Sequence, residues 1–173
     1  ITQQENNMPT NPDNNTQSDS QRELAAYTQK HAQYFIDYMS KALGHDLHGM
    51  LDYSVKSLAV VDDVLDVLYR EAADTTSKNH MFILETKDAV AMDAGCYILE
   101  VAKRNFGGRY AWITEWNEPT IVTGEPEYSV SLDACSKAKG RIDNGDEDNI
   151  PFFFDGYVER VTRPRPGQEI FIS

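Results

Sequence analysis

One stretch changes character midway: Gly95-Cys96-Tyr97-Ile98-Leu99-Glu100-Val101-Ala102-Lys103-Arg104-Asn105-Phe106-Gly107-Gly108-Arg109-Tyr110-Ala111-Trp112. Its first part reads as the end of a buried helix. Gly107 and Gly108 supply the left-handed residue that stops a helix. From Tyr110 to Trp116, aromatic and polar residues alternate with Ala111, Ile113 and Glu115, which is the period of a strand. A chain with this junction lays a helix across a small sheet. Upstream, Ala89, Ala91, Ala94 and Gly95 make that helix thin, so another backbone can approach it closely. Gly95 costs about 1 kcal/mol relative to alanine in a helix interior, and close packing is the reason to keep it.

The rest of the chain can be read around that junction. A first helix is expected over about residues 20–43, with Ser20 as N-cap and Glu23 completing a capping box. A second, over about 49–73, carries Leu51, Val55, Leu58, Val61, Leu65, Leu68 and Ala72 as one stripe. The connection between these helices is short, so they are expected to pair antiparallel. The third runs from about Glu85 to Phe106, with Met81–Leu84 ambiguous between strand and helix. Strands over about 110–116, 120–123 and 128–130 are separated by Asn117-Glu118-Pro119 and Gly124-Glu125-Pro126 turns. A helix over about 131–142 follows. The last helix opens at Asn149-Ile150-Pro151 and is docked by Phe152, Phe153, Tyr157 and Val161. Ile170-Phe171-Ile172 is a candidate terminal strand. The expected fold is therefore α+β and helix-dominated, with about five helices packed on a small antiparallel three-stranded sheet. Residues 1–20 are almost entirely polar and read as a flexible tail; residues 21–173 form a single globular domain.

The net charge of −12 repels phosphate backbones and anionic lipid surfaces, so nucleic acid is not an expected partner. No apolar run is long enough to span a bilayer. A basic protein would be attracted and steered in. Cys96 and Cys135 are too few for a disulfide framework and read as buried free thiols, with a single bridge as the alternative in an exported chain. A cytoplasmic location is expected, or a periplasmic one if the polar tail follows a cleaved signal.

Few residues suggest chemistry. Asp62, Asp63 and Asp66 fall off the apolar stripe of the second helix and read as a solvated acidic face able to dock a basic partner. Glu100, one turn before Arg104 and near Asn105, Arg109 and Trp112, marks a candidate polar pocket. His45 and His48 lack the further ligand that zinc needs. In Asp143-Asn144-Gly145-Asp146-Glu147-Asp148 the glycine comes third, whereas a calcium loop needs it sixth, so the loop reads as a polar turn in which Asp148 can cap. No nucleophile elbow or phosphate loop occurs. No metal and no cofactor are expected.

Gly95-x-Tyr97-x-x-Glu100, followed by Asn105-x-Gly107-Gly108 and Trp112, resembles a motif of small uncharacterised bacterial α+β proteins. A helix such as Leu51-Asp52-Tyr53-Ser54-x-x-Ser57-Leu58 and a later Asn144-Gly145-Asp146-Glu147-Asp148-Asn149 segment extend the resemblance over about residues 50–160. The small residue usual after the glycine is Cys96 here, and Asp93 interrupts the aliphatic face. Such acidic proteins are similar in style to the immunity proteins that neutralise bacterial toxins. The resemblance and the charge together suggest a non-enzymatic binding protein that meets a basic partner through the aspartate face. A small-ligand binder or enzyme using the Glu100 corner, and an envelope-tethered structural protein, are the alternatives.

Overall fold

The computed structural model describes residues 12–173, and the first part of the expected tail, residues 1–11, lies outside the described residues. Among the described residues the architecture is α+β, with five α-helices and one four-stranded sheet. Helix α1 spans Pro12–Leu43, α2 Leu58–Ala73, α3 His80–Phe106, α4 Ala134–Asn144 and α5 Ile150–Thr162. Strands β1 (Arg109–Ile113), β2 (Glu118–Thr123), β3 (Ser129–Leu132) and β4 (Glu169–Ile172) lie in the order β1-β2-β3-β4.

The first three strands form the expected antiparallel meander, and Tyr110 faces Ile121 across it. The terminal segment adds β4 parallel to β3, so the sheet is mixed and four-stranded. The parallel pairing requires the long return through α4 and α5. Val130, Leu132, Ile121 and Tyr110 point to the core, where α3 and α5 cover the sheet.

Helix α3 is the axis of the molecule. Every residue from Ala94 to Ala102 is buried, as an apolar helix surrounded by neighbours must be. α1, α2, α4 and β2 all pack on it. The thin face is where expected: a Cβ on Gly95 would sit 2.6 Å from the Cα of Cys135, so α4 rests its backbone directly on α3. Gly107 ends the helix at φ 77°, and its N–H donates to the Lys103 carbonyl at 3.0 Å.

Several boundaries differ from expectation. α1 begins at Pro12, which leaves Ser20 inside the helix rather than at its cap. α2 begins at Leu58; the preceding chain makes a short 3-10 turn over Val55–Ser57, capped by the Ser54 side chain. The buried Tyr97 hydroxyl holds that turn, meeting Ser57 Oγ at 2.7 Å and accepting the Tyr53 N–H at 3.0 Å. Met81–Leu84 is helical, the first full turn of α3. α1 and α2 are not the packed pair expected from their short connection: α1 lies along α3, whereas α2 lies against α3 and α4. The larger apolar surface of α3 outcompetes the local hairpin.

Candidate functional site

The aspartates of α2 divide. Asp62 is buried, which corrects its reading as part of a solvated face. The guanidinium of Arg141 on α4, 2 % exposed, grips it through Nε to Oδ1 at 2.9 Å and Nη2 to Oδ2 at 3.1 Å. Asp62 Oδ1 also accepts the Ile150 N–H at 2.9 Å, where α5 begins. Asp66 meets Arg141 at 3.1 Å and Arg70 at 2.6 Å. Asp63 alone is exposed. Off the apolar stripe, these acids were expected to face water, but Arg141 of α4 and the start of α5 close over Asp62. An arginine in the otherwise small and apolar inward line of α4 was the available signal.

The Glu100 corner is also rearranged. Glu100 is 1 % exposed; the Tyr110 hydroxyl donates to one of its oxygens, and Arg104 Nε approaches the other at 3.2 Å. Burial, together with the adjacent Glu100, pushes the Tyr110 hydroxyl far above its usual range, so it stays protonated and donates. The Arg104 guanidinium stacks 3.6 Å above the Tyr53 ring. Asn105 donates to the Tyr53 carbonyl at 3.0 Å and the Val101 carbonyl at 2.8 Å. Arg109 turns away to a two-pronged pair with Glu125, at 2.5 and 2.9 Å. Trp112 meets Tyr27 edge to face at 5.5 Å. The four residues are thus spread over separate contacts and do not line one pocket, a correction to the expected cavity. Asp93, the break in the aliphatic face of α3, is matched by His31 Nδ1 at 2.6 Å.

Among the described residues, no group of three or more His, Cys, Asp or Glu side chains is placed to hold a metal ion. His48 bridges Asp46 and Asp37 at the surface, at 2.6 and 2.7 Å. The acidic loop closes as a 3-10 turn, Gly145–Asp148. Asp148 pairs with Lys137 at 2.8 Å, and Asn149, not Asp148, caps α5 by accepting the Phe152 N–H. Cys96 and Cys135 are both buried and free. No described helix is long and apolar enough to cross a membrane.

The surface that sequence reasoning missed lies between α5 and β4. Phe152 is 81 % exposed, against the expectation that it docks the helix. Successive residues of a helix turn by about 100°, so Phe152, Phe153 and Phe154 cannot all face inward. Phe153 and Phe154 enter the core and Phe152 is left out. It borders a groove of about 620 Å³ that also takes in Glu147, Asp155 and Glu159, together with Ile170 and Phe171 of β4. Asp155 and Glu159 follow Phe152 by three and seven positions, on one helix face. Of the two cations lining the groove, Lys137 is paired with Asp148 at 2.8 Å, while Arg160 donates to the Gly156 carbonyl at 2.8 Å and keeps its charge, so the three carboxylates outnumber the one cation left without a carboxylate partner among the described residues. Phe171, 42 % exposed, continues the apolar surface to Trp116, with ring centroids 5.4 Å apart. A second hollow, about 610 Å³ between α1, α2 and α3, carries Lys41 and Lys87 on its walls and has the less acidic lining.

Comparison with known protein families, with characterised proteins and with solved structures returned no match to this chain.

Proposed function

We propose that this chain is a non-enzymatic acidic binding protein that neutralises a bacterial toxin by direct contact, in the manner of an immunity or inhibitor protein. The observation that carries the reading is Phe152, an aromatic ring left 81 % exposed beside the carboxylates of Glu147, Asp155 and Glu159. A large exposed apolar group with a charged rim is how protein-docking surfaces are built. The net charge of −12 adds long-range attraction for a basic partner. The docking surface is accordingly assigned to the α5–β4 groove, with Asp63 left as an outlying charge.

The test uses basic candidate toxins, beginning with the product of a neighbouring reading frame. Association is measured by calorimetry at low and high salt, and survival is scored on co-expression. Affinity is expected to fall as salt rises, and Phe152→Ala combined with Asp155→Lys is expected to abolish protection while the circular dichroism spectrum is unchanged. Protection indifferent to that double variant removes the reading, as does its absence against every candidate.

A further inference from the structure

The two edges of the sheet are treated differently. At β1 the edge is closed: Gln21 of α1 donates its side-chain amide to the Tyr110 carbonyl at 2.7 Å and accepts the Tyr110 N–H at 3.1 Å. One glutamine side chain thus supplies the donor and the acceptor that a neighbouring strand would. Among the described residues, β4 has no such closure. Ser129 N–H donates to the Gln168 carbonyl and Asp133 N–H to the Ile172 carbonyl, each at 2.8 Å. In a ladder the backbone groups of alternate residues point to opposite sides. Gln168, Ile170 and Ile172 therefore turn their backbone groups to β3, and those of Glu169 and Phe171 point to the open edge. Among the described residues, no side chain bonds to the backbone of either. Open edges of this kind are templates for a further strand.

We propose that the partner enters as that strand: an extended basic segment, with lysine or arginine alternating with apolar residues, adds to β4. This rests on the reading of the α5–β4 face as the docking surface. The alternation follows from the pleat. Residues of the added strand in register with Phe171 point to the outer face of the sheet, where Phe171 and Trp116 are exposed. Residues in register with Ile170 and Ile172 point to the α5 side, where Asp155 and Glu159 line the groove. Main-chain bonds supply affinity, and the acid–aromatic split between the two faces supplies the choice of sequence.

The probes are a peptide of alternating lysine and valine, a peptide of the same composition with its lysines and valines in blocks, and the alternating peptide N-methylated at every backbone nitrogen. Binding is followed by NMR with amide exchange at Phe171. The alternating peptide is expected to slow Phe171 exchange and to bind at least roughly tenfold tighter than the other two, and Asp155→Lys with Glu159→Lys is expected to weaken it by about tenfold or more. If all three peptides bind alike and the double variant abolishes binding, strand addition is wrong and the acidic docking surface stands. Binding of the alternating peptide that ignores the charge reversal overturns both. Absence of binding by all three overturns the inference, while co-expression survival reports separately on the function.

Discussion

Asp62 and Asp63 are adjacent and chemically identical, yet they carry opposite consequences. Replacing Asp62 with alanine strands the Arg141 guanidinium, 2 % exposed, without its principal counter-charge. Breaking a buried pair by removing one partner costs about 3–5 kcal/mol, and the lost bond to the Ile150 N–H loosens the start of α5 as well. Urea denaturation of Asp62→Ala should show that loss, whereas Asp63→Ala should stay within about 0.5 kcal/mol of the parent. Equal effects would contradict the assignment. A second residue gives a pH signature. Burial, reinforced by neighbouring Asp133, raises the Glu118 carboxyl from its ordinary 4.5 to about 7, so the folded state favours the protonated form. Below the unfolded value both states are protonated and the group contributes no slope. Between about 4.5 and 7 the unfolded chain releases the proton first, so stability falls as pH rises, and above about 7 the slope ends. Glu118→Gln should flatten this slope in denaturation midpoints measured across the window. A slope of the same size in the variant would place the proton elsewhere.

Among the elements, α3 is under the tightest constraint. Gly95→Ala gains about 1 kcal/mol of helix propensity, yet its new Cβ would lie 2.6 Å from Cys135 Cα and 2.8 Å from Cys135 N. Backbone atoms cannot swing aside as a side-chain tip can, so α4 must shift away from α3. Overpacking of this kind costs about 1–3 kcal/mol, and a net drop in Tm is expected despite the better helix former. A higher Tm would mean that α4 moves freely. α5 illustrates a different limit. Its three consecutive phenylalanines were legible as apolar, but which one faces water depends on how the helix is rolled against the sheet, and that roll is set by contacts such as the hydroxyl pair between Tyr157 and Thr123 of β2 at 2.8 Å.

At the level of the molecule, a charge of −12 is held together against its own repulsion. Added salt shortens the reach of that repulsion, so Tm should rise between about 0.01 M and about 0.15 M salt, where the screening length drops from about 30 to about 8 Å. A falling Tm would mean that surface ion pairs outweigh the net charge. The α+β class, the thin helix with its glycine stop, the three-strand meander and the opening of the last helix were all legible, because period, stops and turns are set by residues adjacent in the chain. The docking groove and the ion-pair network were not. Asp62 meets an arginine 79 residues away, and Gln21 closes a strand edge 89 residues away. Whether an acid is solvated or gripped, and whether a strand edge is sealed or open, depends on which distant surface arrives beside it. That choice is made by the competition of whole apolar faces for α3, which no local pattern encodes.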